Sequence, residues 1–171
     1  MVVDSIDHVN LVVRDLEAML HFYTQVLGLQ VTKRVRIQGP WVEEISGLTG
    51  ASAEVVYLGV VHSPCLELIR YDHPKTFRPS GLEMPNTPGI RHLAFRVTDI
   101  HRIVAAIQAA GVTLSSKVQQ VPETQAKYPG GTRKHLVYFQ DPEGNLLELC
   151  EYRLMAECKG ASRSRDSQPD A

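Results

Sequence analysis

Apolar and polar positions alternate from the start of the chain. Over 6–13 the β-branched run Ile6-Asp7-His8-Val9-Asn10-Leu11-Val12-Val13 predicts a strand with His8, Asn10 and Val12 on one face. Asp15 then suits a helix N-cap, and Leu16, Met19, Leu20, Tyr23, Val26 and Leu27 recur at three- and four-residue steps up to Gly28. A strand follows over 30–38 and is broken by Gly39-Pro40. Trp41, Ile45 and Leu48 then fall at helical spacing, so a short helix either plugs an edge of the core with Trp41 or forms a lid. Two strands over 53–61 and 65–71 meet at a tight connection around His62-Ser63-Pro64. Pro74, Pro79, Pro85 and Pro88 exclude a helix or central strand from the next stretch, which reads as a linker over 73–89.

The second half repeats this plan. A strand over 90–97 leads to Asp99 and a helix with Ile100, Ile103, Val104, Ile107 and Ala110 on its stripe, ended by Gly111. Strands over 112–121, 134–140 and 146–153 follow, with a loop over 122–133 and a turn at Asp141-Pro142-Glu143-Gly144-Asn145. The echo extends to single residues: Ile6-Asp7-His8-Val9 returns as Ile90-Arg91-His92-Leu93, and Leu66-Glu67-Leu68 as Leu147-Glu148-Leu149. Such self-similarity marks a duplicated unit. The expected fold is α+β, two tandem βαβββ modules (1–72 and 90–153) around the linker, followed by a polar tail over 154–171.

Composition narrows the partners. With 43% hydrophobic and 22% charged residues, the 171-residue chain reads as an ordinary globular protein of one domain or two small modules sharing a core. A net charge of −1 supplies no basic field for nucleic acid. The sequence shows no membrane-length apolar run and no charged secretory n-region. Cys65, Cys150 and Cys158 are an odd count without zinc-finger spacing, so a reducing cytoplasm is expected.

The residues repeated most faithfully are the ones that bind metals. A single His or Glu in an apolar strand is ordinarily a core or surface residue. Both types recurring at matched places change that balance, because burying two unpaired carboxylates is costly. If the two sheets close into a cup, His8, Glu67, His92 and Glu148 converge on one point and suit Ni²⁺, Co²⁺, Zn²⁺ or Mn²⁺. Lys33, Arg34, Arg36, Arg133 and Lys134 are candidates for an anionic handle or for solvated faces. Glu54 is a weaker candidate base, His135 and Tyr138 are candidate acid–base residues, and Cys65 and Cys150 share strand parity with the two glutamates.

The chain resembles the vicinal oxygen chelate superfamily, the group of glyoxalase I, methylmalonyl-CoA epimerase, extradiol dioxygenases and bleomycin resistance proteins. The resemblance runs over 6–153 and rests on Asp7-His8-Val9, Phe22-Tyr23, Leu27-Gly28-Leu29, Leu66-Glu67-Leu68, Arg91-His92-Leu93 and the 141–145 turn leading to Glu148. It implies a cupped mixed sheet with a divalent metal held by the first and last strands of each module. The His/Glu/His/Glu set is similar to that of glyoxalase I, which implies a lyase or isomerase moving a proton beside a carbonyl of a small chelating substrate. Glu148 is the first choice of base and Glu67 the second. The alternatives are an extradiol dioxygenase using Fe²⁺ and a metal-poor binding or resistance protein. Unpaired sheet edges favour a homodimer. No nucleic acid or membrane partner is expected.

Overall fold

Period-two patterning resolves into two four-stranded mixed sheets in the computed structural model, which describes residues 2–60 and 65–154. The first holds β1 (His8–Val12), β2 (Gln30–Gln38), β3 (Ser52–Gly59) and β4 (Cys65–His73) in the order β1-β4-β3-β2. The second holds β5 (His92–Arg96), β6 (Gln119–Gln120), β7 (Thr132–Gln140) and β8 (Leu146–Leu154) in the order β5-β8-β7-β6. In each, the first strand pairs parallel with the last, and the remaining neighbours run antiparallel. This is the paired βαβββ plan the sequence predicts. The His62-Ser63-Pro64 connection and the tail beyond Leu154 lie outside the described residues.

The first helix departs from its expected form. α1 (Leu16–His21) starts at the Asp15 side chain, which accepts from Ala18 N, and continues as one wide π turn over Phe22–Val26. Thr24 Oγ1 donates to Leu20 O at 2.7 Å, a side chain–backbone bond that competes with regular helix geometry. Within the widened turn, adjacent Phe22 and Tyr23 are both buried. Their rings stand 6.4 Å from Phe139 and 6.4 Å from Phe95, so the helix of the first module packs on strands of the second. Tyr23 donates to Asp141 across the same junction at 2.9 Å. Glu143 accepts from Arg14 N and Asp15 N, each at 2.7 Å. One apolar cluster therefore serves both modules, drawing Leu16, Met19, Leu66 and Leu68 together with Ile100, Ile107, Leu147 and Leu149.

Two other elements differ from expectation. α2 (Pro40–Ser46) forms at the predicted place, but it buries Val42 and leaves Trp41 53% exposed, so Trp41 does not plug the core. The strand expected over 112–121 shrinks to β6 and a lone bridge between Leu114 and Phe139. Ser116 Oγ donates to Lys117 O at 2.8 Å, a local bond that competes with a sheet ladder. α3 (Ile100–Ala109) forms as expected, with Asp99 accepting from Arg102 N. No helix is long and apolar enough to cross a membrane among the described residues.

Candidate metal centre

The registers place each candidate histidine beside its glutamate. His8 lies opposite Cys65 and Asn10 opposite Glu67, so His8 sits two positions before the carboxylate on the adjoining strand. His92 lies opposite Leu146 and Ala94 opposite Glu148, the same relation. His8 Nε2 is 3.5 Å from Glu67 Oε2, and His92 Nε2 is 3.4 Å from Glu148 Oε2. In both sheets Leu66, Leu68, Leu147 and Leu149 alternate with the glutamates and enter the core, which leaves the His–Glu pairs on the opposite faces. Both carboxylates are buried nonetheless, Glu67 at 7% and Glu148 at 3% exposure.

What surrounds the two carboxylates differs. Around Glu67 stand neutral donors: Asn10 Nδ2 reaches Oε2 at 3.1 Å, and Tyr57, cross-strand from Glu67, bonds it through its hydroxyl. That contact, with burial, pushes the Tyr57 phenol up to about 12. Asp7 accepts from the other ring nitrogen of His8 at 2.8 Å and raises the imidazole above its ordinary value, burial opposing and Glu67 assisting. Around Glu148 stands a cation: Lys134 Nζ lies 2.7 Å from Oε1. Burial works against the Lys134 charge, yet Glu148 more than offsets it and the lysine titrates above its ordinary value. That ammonium is the partner of the buried Glu148 Oε1. Tyr138, opposite Glu148 and stacked 5.2 Å from His92, has its phenol raised mainly by burial and then by Glu148.

The structure sorts the other candidates. Glu54 is held by Arg34 at 2.6 Å and by Arg70 at 3.2 Å, and it faces away from Glu67, so it is no base for this site. Arg34 also pairs with Glu17, Arg36 with Asp72 and Arg133 with Glu123. Of the five cations singled out by sequence, only Lys33 and Lys134 share the faces of the His–Glu pairs, Lys33 over the Tyr57 ring at 5.5 Å. Cys65 and Cys150 lie on those faces too, as free thiols. His135 lies opposite Glu151, on the face away from Glu148. Asn10, Tyr57 and Lys134 are the partners that patterning did not assign to the glutamates; only the second halves of the cross-strand pairs, visible once register is known, point to them.

A model of the Glyoxalase/Bleomycin resistance protein/Dioxygenase superfamily matches residues 5–149. The chain belongs to this superfamily. Within it, a probable lactoylglutathione lyase of Vibrio parahaemolyticus is 28% identical over 144 residues, 84% of this chain and 88% of that protein. A virulence protein of Salmonella typhimurium is 27% identical over 154 residues, 89% of this chain and 87% of that one. The fold matches a glyoxalase family protein from Bacillus cereus with a TM-score of 0.75 at 24% identity, covering 89% of this chain and 96% of the other. It also matches the trypanothione-dependent glyoxalase I of Leishmania major with a TM-score of 0.58 at 20% identity, covering 87% of each chain.

Superfamily members commonly hold a divalent metal. Within one chain, however, the four expected ligands do not meet: His8 joins Glu67 and His92 joins Glu148, and no three His, Cys, Asp or Glu side chains cluster among the described residues. The sequence leaves open whether the modules pair within one chain or across two copies; among the described residues of one chain the two pairs do not join. The physical reason is the way the modules join. β1 and β5 are outer strands of separate sheets rather than neighbours in one cup, and the modules are tied through Phe22, Tyr23 and the 141–145 turn. Each pair supplies half of the expected four-ligand set. In each, an imidazole nitrogen and a carboxylate oxygen lie 3.5 and 3.4 Å apart, close to the spacing of two ligands about 2.1 Å from one tetrahedral ion.

Proposed function

We propose that the chain works as a metal-dependent lyase or isomerase of glyoxalase or epimerase type. Its site is built by two copies, His8 and Glu67 from one and His92 and Glu148 from the other. The observation that carries this is the matched placement of the two pairs. Each histidine sits on an outer strand with one open edge, β1 or β5, and each is partly exposed, at 39% and 36% of the side chain. Setting β1 of one copy beside β5 of another extends both sheets and covers two edges that would otherwise invite non-specific pairing. The same step brings two imidazoles and two carboxylates to one place, a donor set that suits Ni²⁺, Co²⁺, Zn²⁺ or Mn²⁺.

A cation held there would polarise a substrate carbonyl and stabilise negative charge on its oxygen. The chain's own residues do the rest. His8 and His92 would hold the ion, and a glutamate takes and returns the proton on the carbon next to the substrate carbonyl. Glu67 is the better placed of the two to move. Leaving its position breaks contacts with neutral Asn10 and Tyr57, whereas moving Glu148 breaks an ion pair with Lys134. On this reading Glu148 is the fixed ligand and Glu67 the mobile base, the reverse of the order expected from the sequence. Tyr57 and Tyr138 stand beside the carboxylates as neutral donors.

The test is turnover under argon with Ni²⁺, Co²⁺ or Zn²⁺ across a panel of 2-oxoaldehyde thiol adducts and acyl thioesters in deuterated water. Solvent deuterium in the product is the expected result. Ring cleavage of a catechol with consumption of O₂ in the Fe²⁺ form would contradict it. Glu67→Gln is expected to keep metal and lose turnover, while Glu148→Gln weakens metal binding as well.

A further inference from the structure

The two histidines match in register and differ in the residue that precedes them, Asp7 before His8 and Arg91 before His92. Asp7 Oδ2 lies 2.8 Å from His8 Nδ1. The Asp7 carbonyl accepts from Cys65 N at 3.1 Å, so its main chain is tied to β4 while its side chain stays 93% exposed. An ionised carboxylate only accepts, so the proton of a neutral His8 ring sits on Nδ1. Nε2 is then bare, and Nε2 is the nitrogen that faces Glu67 Oε2 at 3.5 Å. Tyr57 meets the His8 ring edge-on, with centroids 6.2 Å apart and planes at 86°, and flanks it from β3. Arg91 offers only donors and gives one of them to Gly81 O at 3.4 Å, so it cannot hold His92 in this way.

We infer that Asp7 is a positioning residue of the metal site, its carboxylate fixing the tautomer and direction of His8 so that Nε2 presents its lone pair on the side of Glu67. This rests on the metal-dependent reading above. A neutral imidazole carries its proton on one of two nitrogens, and only the bare one binds a cation. A carboxylate on the far nitrogen settles that choice before a metal arrives and makes the near nitrogen a stronger donor. His92 has no such carboxylate beside it in sequence, so the two halves of the shared site are unequal. The half that Asp7 supports is organised in advance.

Two substitutions separate the accepting oxygen from the charge. Asp7→Asn keeps an acceptor without the charge, and Asp7→Ala removes both, at a position exposed enough for each variant to fold. In metal-free protein at about pH 9, where imidazoles are neutral, long-range proton–nitrogen NMR of the ring reads the tautomer. His8 is expected to carry its proton on Nδ1 in the parent and in Asp7→Asn, and to move much of it to Nε2 in Asp7→Ala. Calorimetric titration with Co²⁺ is expected to show Asp7→Ala about tenfold or more weaker than the parent, with Asp7→Asn between them. A parent His8 protonated on Nε2, or a tautomer unmoved in Asp7→Ala, overturns the inference and leaves the metal site standing. Equal cobalt affinity in the parent and Asp7→Ala does the same. Equal losses in Asp7→Asn and Asp7→Ala reduce the effect to a missing charge and overturn positioning. A parent protein that binds no cobalt sinks the metal site, and this inference with it, whatever the tautomer.

Discussion

The two His–Glu pairs share a register and differ in what faces the carboxylate. In the first sheet Asn10 stands opposite Glu67 and Ala53 lies four residues before the tyrosine; in the second, Ala94 stands opposite Glu148 and Lys134 lies four residues before the tyrosine. An amide in one module is thus exchanged for an ammonium in the other, around the same His, Glu and Tyr. Duplication supplies the His–Glu pair twice, and divergence at two small-for-polar positions gives the two carboxylates different surroundings. A carboxylate among neutral donors moves at the cost of ordinary hydrogen bonds, of about 1 kcal/mol each. A buried carboxylate paired with a lysine does not leave as readily, because each charge would then lie unpaired.

The largest expected effect separates these two environments directly. Glu148→Leu leaves Lys134 with 17% side-chain exposure and no counter-ion, and is expected to destabilise the metal-free protein by about 3 kcal/mol in urea denaturation. Glu67→Leu leaves neutral Asn10 and Tyr57 unmatched, while the partly exposed His8 keeps Asp7, and is expected to cost about 1 kcal/mol. Equal losses would erase the distinction on which the assignment of fixed ligand and mobile base rests. A double variant, Glu148→Leu with Lys134→Leu, should recover most of the first loss, since removing both partners of a buried pair is far cheaper than removing one.

A smaller effect separates the two tyrosines. Tyr57 gains its raised ionisation chiefly from its bond to Glu67, whereas Tyr138 owes its shift first to burial. Ultraviolet titration is expected to show Tyr57 ionising near 12, and the Glu67→Gln substitution should lower that value. The folded-state value lies above the unfolded one, so this contribution to stability is complete below about pH 10 and is lost as the pH rises through the folded value. Tyr57→Phe is expected to cost about 1 kcal/mol near neutral pH and Tyr138→Phe less.

Sequence patterning locates the strands that carry His8, Glu67, His92 and Glu148 because alternation and repetition are properties of the chain itself. Their partners are a matter of register. That Tyr57 meets Glu67 and Lys134 reaches Glu148 depends on cross-strand alignment and side-chain length, which no single strand displays. Arg34, Arg36 and Glu54 read as free charges along β2 and β3, yet folding ties them into ion pairs on the face away from the site. The separation of the two pairs was equally hidden. It follows from the strand order, in which β1 pairs only with β4 and β5 only with β8, so that both are edges of separate sheets. The strand expected over 112–121 fails for a local reason, the serine bond at Ser116.

The smallest effect concerns the two histidines. His8 is raised by Asp7, whose counterpart before His92 is Arg91. Its protonated form therefore contributes stability that is complete below about pH 6.5 and lost as the pH rises through the folded-state value. The Asp7→Asn change should bring the His8 titration, followed by ring-proton NMR, back toward an ordinary imidazole while altering stability by less than about 0.5 kcal/mol, as expected for an exposed pair. An unmoved His8 titration would show that Asp7 does not govern it.

Subunit complementation tests the shared metal site most directly. One variant carries His8→Ala with Glu67→Ala, the other His92→Ala with Glu148→Ala, and each alone retains only half of every site. Mixed dimers purified through two different tags bring one intact pair from each chain together. The account predicts no bound Ni²⁺ or Co²⁺ in either variant alone and about one ion per mixed dimer, the arithmetic of one restored site in two. Metal-free mixed dimers, or full metal loading of a single variant, would contradict it.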